Sequence, residues 1–316
     1  MRHVHLLDTS ISSGNRGDDI IVDFARRHLM SAVGDSFLST SSSHDGLGRY
    51  SRKLAARADV AFLLGSNALA ADYRGRKFHW RVTWRDIPAL AEKVVLLGVG
   101  AHKDFDRVNP RQISFLRKVL SPRHIHSVRD AQAGQILERC GLEFINTSCP
   151  TLWGYATVQP EMRRNPKVAC FTLTAGKPQP SDRYLIQTLS ECYERVLFWP
   201  QQEPDLAYME QIRGAARIEV IAGNLAAYDA TLASERPDYV GTRLHGGIRA
   251  MSYGCRTLVL SIDNRASALG AEAGVPVLAR TRLEADLVER ISSNTPARIT
   301  VDAAGVARFL EQFRGA

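Results

Sequence analysis

The chain has 316 residues, of which 45% are hydrophobic and 23% charged, and its formal net charge is +8. This composition is typical of a globular protein of about two domains, and no run approaches the ~20 apolar residues of a membrane span. The five widely spaced cysteines form no C-x-x-C pair, which argues against a disulfide framework or zinc knuckle. Because the basic residues are scattered, we expect no nucleic-acid partner, whereas the charge favours loose attraction to the cytoplasmic face of a membrane.

The first half of the chain alternates apolar runs with amphipathic segments. Its N-terminus enters a strand pattern directly, so we expect no signal peptide and a cytoplasmic protein. Near-continuous apolar runs predict parallel strands covered on both faces, at Val4–Asp8, Asp59–Leu64, Lys93–Val99, His124–Arg129 and Phe144–Ser148. Spaced apolar residues predict helices, at Asp19–Ala32, Asn109–Leu120 and Ala131–Cys140. The Ser-rich segment Ser39–Gly46 is the most loop-like stretch.

The second half repeats this alternation after a linker predicted at Thr151–Pro166. The predicted strands are Val168–Leu173, Val196–Trp199, Ile218–Ala222, Tyr239–Thr242, Thr257–Ile262 and Val277–Ala279. The predicted helices include Asp182–Glu194, Leu225–Glu235, Gly247–Tyr253, Ala266–Ala273 and the terminal Val306–Phe313. The pattern predicts two doubly wound, Rossmann-like α/β domains, 1–155 and 156–316, that face a cleft, with the terminal helix free to pack back on the first.

The most informative motif follows a predicted strand of the second half. Arg243 and His245 stand two residues apart, ahead of Gly246 and Gly247, where a helix begins. A helix N-terminus with a guanidinium and an imidazole suits a phosphate or carboxylate and provides a proton donor. The alternative is a surface loop with a solvated Arg and His. Arg265 follows the next strand and could converge on the same anion.

Other polar residues follow strands of the first half. The loop at residues 14–19 can present backbone amides and the carboxylate of Asp18 to a ligand, or Asp18 can simply cap the helix. Asn67 and His102 follow two further strands, and Arg129 follows a third, where Asp130 can cap a helix or orient the guanidinium. Paired histidines alternate along two strands, but no acid or cysteine nearby completes a set, so we expect no metal. Arg249, one turn past His245, is predicted to face solvent.

At these residues the chain resembles the polysaccharide pyruvyl transferase family. The resemblance depends on the order of the blocks as much as on any one of them, and Arg-Leu-His-Gly is the most specific. The blocks are Gly14-Asn15-Arg16-Gly17-Asp18, Gly65-Ser66-Asn67-Ala68-Leu69, Gly98-Val99-Gly100, Val128-Arg129-Asp130, Cys149-Pro150-Thr151-Leu152 and Thr242-Arg243-Leu244-His245-Gly246.

The resemblance implies a two-domain fold of the GT-B type and transfer of a pyruvyl group from phosphoenolpyruvate onto two sugar hydroxyls, which gives a ketal. The acceptor it implies is a bacterial exopolysaccharide or cell-wall glycan precursor, often lipid-linked, with no further cofactor. It assigns the first domain to the acceptor and the second to the donor. The catalytic residues are then His245, Asp18 and Arg243; the donor contacts are Arg129, Arg243, His245, Gly246 and Arg265; the acceptor contacts are Asn15, Arg16, Asp18, Asn67 and His102.

One departure from the family bears on the chemistry. Family members often carry Lys where this chain has Arg265, which keeps the charge but not the titratable ammonium. Two other functions use the same architecture: a glycosyltransferase with a nucleotide sugar, and a non-catalytic glycan-binding protein. The glycosyltransferase would need a carboxylate for the ribose, and Glu203, Asp205 and Asp229 are its candidates.

Overall fold

The computed structural model describes residues 1–72, 80–102, 105–293 and 297–314. The chain divides into two compact units. The first comprises Met1–Ser13, Ile21–Trp153 and Val301–Ala316, and the second comprises Gly14–Ile20 and Gly154–Thr300. The short segment Gly14–Ile20 is thus grouped with the second unit, although the sequence places it in the first domain. No helix among these described residues is both long and apolar enough to cross a bilayer.

The first unit is built on parallel strands. They are β1 His3–Asp8, β2 Phe37–Ser42, β3 Val60–Leu64, β4 Val94–Leu97, β5 His126–Val128 and β6 Phe144–Asn146. The helices are α1 Arg16–Val33, whose first turn is counted with the second unit, α2 Arg49–Arg57, α3 Ile87–Leu90, α4 Pro110–Val119, α5 Ala131–Cys140 and α12 Ala303–Glu311. The sheet order is β2-β1-β3-β4, and a parallel bridge between Val99 and Val128 leads to the β5-β6 pair.

Strand β3 shows why the apolar runs predict this architecture. All five of its residues are buried. Ala61 and Leu63 pack into the core on one face of the sheet, and Val60, Phe62 and Leu64 pack into the core on the other. The second of these cores also takes in α12, through residues 306, 309 and 310. A strand covered on both faces has no solvent side, which is why its sequence does not alternate.

The predicted loop at Ser39–Gly46 is wrong for Ser39–Ser42, which belong to strand β2, whereas residues 43–46 follow the strand. Ser39 pairs with His5 in the parallel register of β1 and β2. The buried His5 ring bonds Ser39 Oγ through Nδ1 (2.8 Å) and Ser41 Oγ through Nε2 (2.9 Å). His3 Nε2 bonds Ser39 as well, at 2.8 Å. The alternating histidines and serines are therefore matched sets of cross-strand partners, and the polar strand has a buried hydrogen-bonded face.

The second unit contains a six-stranded parallel sheet. Its strands are β7 Val168–Thr172, β8 Arg195–Phe198, β9 Glu219–Val220, β10 Asp238–Gly241, β11 Thr257–Ser261 and β12 Val277–Ala279. Its helices are α6 Ser181–Cys192, α7 Glu203–Ile212, α8 Leu225–Glu235, α9 Leu244–Ser252, α10 Asn264–Ala273 and α11 Leu283–Ser292. The order β12-β11-β10-β7-β8-β9 reverses between β7 and β10, as in doubly wound folds that bind ligands at that point. The predicted α/β class is confirmed.

Candidate active site

The first turn of α9 lies at the switch point of the second sheet. β10 ends at Gly241, beside β7, and α9 begins at Leu244 with Arg243 as its N-cap residue. The Arg243 side chain makes no capping hydrogen bond. An arginine N-cap offers no side-chain oxygen of the kind that usually accepts a hydrogen bond from a first-turn N–H group. With the positive end of the helix dipole, this end of α9 can hold an anion.

A buried carboxylate holds the Arg243 guanidinium. Nε donates to the Leu173 carbonyl (3.0 Å) and to Asp205 Oδ2 (3.1 Å), and Nη2 donates to both Asp205 oxygens at 2.6 Å. Nη2 also donates to Gln202 Oε1 at 2.7 Å. The sequence predicts Arg243 as a cation that faces the donor, whereas here Asp205 balances its charge. Within the described residues only Nη1 keeps its hydrogens without a partner, so it is the edge available to a ligand oxygen.

Asp205 forms hydrogen bonds to residues that follow three neighbouring strands. Besides Arg243, it accepts the backbone N–H of Ala175 after β7 (3.0 Å) and that of Gln202 after β8 (3.0 Å). Gln202 and Asp205 form a capping box at the start of α7, with Pro204 in its first turn. Sequence reasoning named Asp205 only as a ribose ligand. The Gln-Glu-Pro-Asp pattern signals the helix start, but not the arginine that the same carboxylate binds.

The loop at Gly14–Asp18 lies against the end of β8. Asn15 Oδ1 accepts the Gly17 N–H (3.1 Å) and the Gln201 amide Nε2 (2.8 Å), and the Arg16 N–H donates to the Gln201 carbonyl (2.9 Å). A Cβ on Gly17 would lie 2.8 Å from Gln201 Nε2, so a larger residue there would displace this amide. Asp18 follows in the first turn of α1 and is buried. The predicted acceptor residues of this loop therefore belong with α9 in the second unit.

Gln201 connects the loop to α9 and was not predicted. Its side chain is 3% exposed, and its Oε1 has no hydrogen-bond partner among the described residues. That oxygen lies 3.2 Å from the position that a Cβ on Gly246 would occupy. An unpaired buried carbonyl oxygen costs about 1–3 kcal/mol, and such groups in native structures often mark functional sites. Gln201 therefore brings the Asn15 loop and the first turn of α9 into one polar cluster.

His245 is the second residue of α9. It is half-buried, between the buried N-cap Arg243 and the buried Gly246. The imidazole is thus not sealed in the hydrophobic core, which a proton donor to a ligand requires. We refer to the Gly14–Asp18 loop, Gln201, Gln202, Asp205 and Arg243–Gly246 as the α9 cluster.

A second polar cluster lies in the first unit, at the ends of β3, β4 and β5. Arg129 donates through Nη2 to Asn67 Oδ1. Asp130 caps α5 by accepting the Ala133 N–H (2.8 Å) and also accepts the Ala101 N–H (3.2 Å), so its capping role is confirmed. Among the described residues Arg129 makes no ion pair with a carboxylate, although the Asp130 carboxylate lies beside it over Gly100. His102 follows Ala101 directly and is half-buried.

Gly100 makes room for this cluster. A Cβ at this position would lie closer than 3.0 Å to side-chain atoms of Asp130, Arg129 and Asn67. The three polar side chains thus close over the glycine. Nearby backbone is also unusual, because Ser66 after β3 has φ 66° and Ser148 after β6 has φ 60°. Left-handed backbone is uncommon for residues other than glycine and often occurs at functional sites.

Comparison with known families decides the chain's affiliation. The sequence model described as "Polysaccharide pyruvyl transferase" matches residues 15–264. The chain belongs to this family. Apart from Gly14, the matched span includes both polar clusters and every block on which the resemblance depends. No curated protein matches the sequence.

Among solved structures, the UDP-GlcNAc 2-epimerase of Methanocaldococcus jannaschii, crystallised with UDP-GlcNAc and UDP, is similar to this chain. The similarity covers 99% of each chain, with a TM-score of 0.53 and 11% sequence identity. At this identity the likeness shows the fold alone, and the fold of this family member is GT-B-like.

The position at which the family often carries Lys is occupied by a paired arginine. Arg265 is exposed, and its Nη2 donates to Asp263 Oδ2 at 2.6 Å. Lys177, which sequence reasoning missed, reaches the end of β11 from the loop after β7 and donates from Nζ to the Ile262 carbonyl at 3.0 Å. Burial alone would raise the pKa of Asp263, but the hydrogen bond and charge of Arg265, together with Lys177, lower it.

The Lys177 loop is itself fixed by a buried ion pair. Arg280 donates to the Lys177 carbonyl (2.6 Å) and pairs with Asp182, which is fully buried. Tyr208 donates to the same carboxylate at 2.6 Å. Two cations, Lys177 and Arg265, therefore lie at the end of β11, the strand next to β10.

The expectation that Arg249 faces solvent is wrong. Arg249 is 2% exposed and forms a bidentate pair with Asp229 of α8, at 2.8 Å from Nε and 2.6 Å from Nη2. The pair holds α8 against α9, so Arg249 has a structural role. In the part of the chain that is described, no group of three or more His, Cys, Asp or Glu side chains is placed to hold a metal ion.

Proposed function

We propose that the protein is a cytoplasmic pyruvyl transferase that forms a pyruvate ketal on a sugar of a bacterial exopolysaccharide or cell-wall glycan precursor. Phosphoenolpyruvate is the donor and the sole co-substrate, and the acceptor is a lipid-linked oligosaccharide. The membership of the family supports pyruvyl transfer. The α9 cluster supports the choice of a phosphorylated, anionic donor.

The observation that carries the proposal is the combination of groups in the α9 cluster. The N-terminus of α9, the Nη1 edge of Arg243 and the half-buried His245 lie within one turn of chain. The amide-rich loop that ends in the buried Asp18 joins them through Gln201. A phosphate-binding helix terminus, a proton donor and a carboxylate are the groups that ketal formation from an enol phosphate requires.

The reaction assigns one role to each group. The His245 imidazolium protonates the methylene carbon of phosphoenolpyruvate, and C2 becomes an oxocarbenium-like electrophile. Two sugar hydroxyls each form a bond to C2, and the C2–O bond to phosphate breaks. Asp18 accepts the proton of one hydroxyl, and the other proton returns to His245. The first turn of α9, with Arg243, holds the departing phosphate, and Arg129, Lys177 and Arg265 are further cations for the donor.

A glycosyltransferase that uses a nucleotide sugar would need a carboxylate to bind the ribose, and two of the three candidates are already paired. Asp205 is paired with Arg243, and Asp229 is paired with Arg249. Neither can also grip a ribose without leaving a buried guanidinium unpaired. Only the exposed Glu203 is left for that role.

Ligand-induced stabilisation tests the donor. A ligand that binds only the native state raises Tm, and the stabilisation grows with the logarithm of its concentration over Kd. We expect phosphoenolpyruvate to raise the Tm of the full chain, and UDP-sugars at the same concentration to leave it unchanged. Stabilisation by UDP-sugars alone would favour the glycosyltransferase, and stabilisation by neither would favour a non-catalytic protein.

Replacement of the imidazole tests the mechanism. We expect His245→Gln to lower turnover by about 10²–10⁴-fold, the usual contribution of a positioned general acid. Its Tm should stay close to that of the wild type, because the side chain is not part of the core. The control is His124→Gln, which removes another half-buried histidine, in the first unit. A parallel loss of Tm and activity in His245→Gln would make His245 structural.

A further inference from the structure

The first unit displays two strongly exposed aromatic side chains. Tyr50, in the first turn of α2, is 75% exposed, and Trp84, ahead of α3, is 74% exposed. The next most exposed aromatic residue in the described chain is Phe37, at 52%, at the opposite end of β2. Two aromatic side chains exposed to this extent mark a candidate binding surface when they share one patch.

The segments that carry Tyr50 and Trp84 form one continuous surface. Arg52 of α2 donates to Asp86 at 3.1 Å and to the Leu47 carbonyl at 2.6 Å. The Arg81 N–H donates to the Ser43 carbonyl at 2.7 Å, which ties the second segment to the end of β2. We call the surface of residues 45–53 and 80–86 the α2 rim.

The α2 rim is held in a fixed conformation. Asp86 is fully buried and accepts the Thr83 N–H (2.8 Å) and the Thr83 hydroxyl (2.7 Å). This closed turn sets Trp84 outwards. On the other side, Ala55 of α2 packs into the core, so the opposite face of the helix is displayed. Trp84 therefore projects from a turn that side-chain hydrogen bonds define.

The α2 rim carries a net positive charge. It contains five cations, Arg49, Arg52, Lys53, Arg81 and Arg85, against Asp45 and Asp86, and Asp86 is buried and paired with Arg52. The Arg85 guanidinium lies 5.0 Å from the centre of the Trp84 ring, a cation–π arrangement. Cations that surround Trp and Tyr are the composition of a membrane-interface anchor, because the rings enter the headgroup layer while the charges bind anionic lipid.

We propose that the α2 rim is a docking surface for an anionic lipid bilayer. Tyr50 and Trp84 insert at the headgroup level, and Arg49, Lys53, Arg81 and Arg85 bind lipid phosphates. The rim adjoins the carboxyl end of β2. The strands are parallel, so β2 ends at the same carboxyl edge of the sheet as β3 and β4, which carry the Arg129 cluster, and β1 lies between β2 and β3. Docking thus presents that edge to a sugar at the membrane surface. This last consequence rests on the proposed function, whereas bilayer binding does not.

Vesicle flotation of the full chain tests the docking surface. The probes are vesicles of phosphatidylcholine alone and of phosphatidylcholine with phosphatidylglycerol, at 50 and 500 mM salt. We expect binding to the anionic vesicles at low salt, and at least tenfold weaker binding at high salt, because exposed charges are screened. The absence of binding to anionic vesicles at 50 mM salt would overturn the proposal.

Matched variants locate the surface. Trp84→Gln with Tyr50→Gln, and separately the triple change Arg49→Gln, Lys53→Gln, Arg85→Gln, should each weaken binding at least fivefold. The controls are Phe37→Gln and the triple change Arg111→Gln, Lys118→Gln, Arg123→Gln, which remove an exposed aromatic ring and equal charge elsewhere in the first unit. Equal loss in the controls would refute a specific surface.

Two further readouts separate this proposal from its rivals. If duplex DNA binds the chain more tightly than vesicles and the same variants abolish that binding, the rim is a nucleic-acid surface and the proposal fails. Turnover of a soluble sugar acceptor should be unchanged in Trp84→Gln. Vesicle binding without any pyruvyl transfer would overturn the proposed function and leave the docking surface standing, and transfer without vesicle binding would do the reverse.

Discussion

The two sheets place their functional cations in different electrostatic settings. At the carboxyl edge of the second unit, buried arginines are each paired with an aspartate, as in Arg243 with Asp205 and Arg280 with Asp182. At the carboxyl edge of the first unit, Arg129 is held by the neutral amide of Asn67, and its charge has no described carboxylate partner. The backbone around Arg129 is also strained, at Ser66 and Ser148.

This difference separates arginines that fix the positions of loops from arginines that can bind an anion. A guanidinium paired in the interior fixes the loops that it joins, because removal of one partner leaves an uncompensated buried charge. A guanidinium held by an amide is oriented but keeps its full charge for an anion. Arg243 therefore shapes the α9 N-terminus and offers only its Nη1 edge to a ligand, whereas Arg129 is oriented by a neutral amide and makes no ion pair among the described residues.

The largest effect on stability is expected at the carboxyl edge of the second unit, where buried arginines are paired with aspartates. Asp205→Ala leaves Arg243 buried without a counter-charge, and we expect a loss of about 3–5 kcal/mol in the free energy of unfolding. Urea unfolding followed by circular dichroism measures it. The control is Asp286→Ala, which breaks the exposed pair with Arg282 and should change stability far less. If both variants lose the same small amount, the Arg243–Asp205 pair does not fix this edge.

A fall in pH should destabilise the first unit before the second. Burial lowers the pKa of His5 to about 4, with the charges of His3 and Lys93 adding to the effect. Burial also lowers the pKa of His126 to about 4. Both folded values lie below the unfolded value of about 6.5, so each histidine leaves stability unaffected above pH 6.5 and reduces it as the pH falls towards 4. At pH 5 each contributes a loss of about 2 kcal/mol.

Hydrogen exchange resolved along the chain measures this acid effect. Between pH 7.5 and 5, amides of β1–β5 should lose protection before those of β7–β11, after correction for the intrinsic pH dependence of exchange. His5→Gln should flatten the pH dependence of unfolding, because glutamine does not titrate. The control, His3→Gln, lies on the same strand but is only half-buried. Equal acid loss in both units would remove this contrast between them.

The sequence predicts the fold well where strands are apolar and poorly where they are polar. The continuous apolar run of β3 predicts a strand from the sequence alone, because both of its faces pack into hydrophobic cores. Strand β2 does not, because its serines are buried only through the histidines of β1, more than 30 residues away. Hydrophobic periodicity cannot detect hydrogen-bonded partners that far apart.

The candidate site shows the same limit. The start of α9 and the cap at Asp130 follow local rules, and the sequence predicts both. The partners Asp205, Gln201 and Lys177 come from other strand ends that only the sheet order brings together. For the same reason the sequence treats Arg243 as an unpaired cation and Arg249 as a solvated one.

A smaller effect is expected where the Arg129 cluster closes over Gly100. Gly100→Ala places a methyl group against Asp130, Arg129 and Asn67, and the overpacking should cost about 1–3 kcal/mol. The new methyl group must also displace the Arg129–Asn67 contact. We therefore expect the KM for phosphoenolpyruvate to rise. The control is Gly154→Ala, which has no atom within 4 Å of the new methyl group. An unchanged KM in Gly100→Ala would argue that Arg129 does not bind the donor.

The smallest effect, and of opposite sign, is expected at Ser66. Its φ of 66° is a left-handed conformation that costs an L-residue about 1–2 kcal/mol, and glycine adopts it without that cost. Ser66→Gly should therefore stabilise the folded chain by up to about 1 kcal/mol, after the added entropy of the unfolded chain is subtracted. If Ser66→Gly gains stability but loses activity, the strain holds the neighbouring Asn67 in place for function. A gain without such a loss would make the strain incidental, and a loss of stability would show that the serine side chain, rather than its backbone, holds the turn.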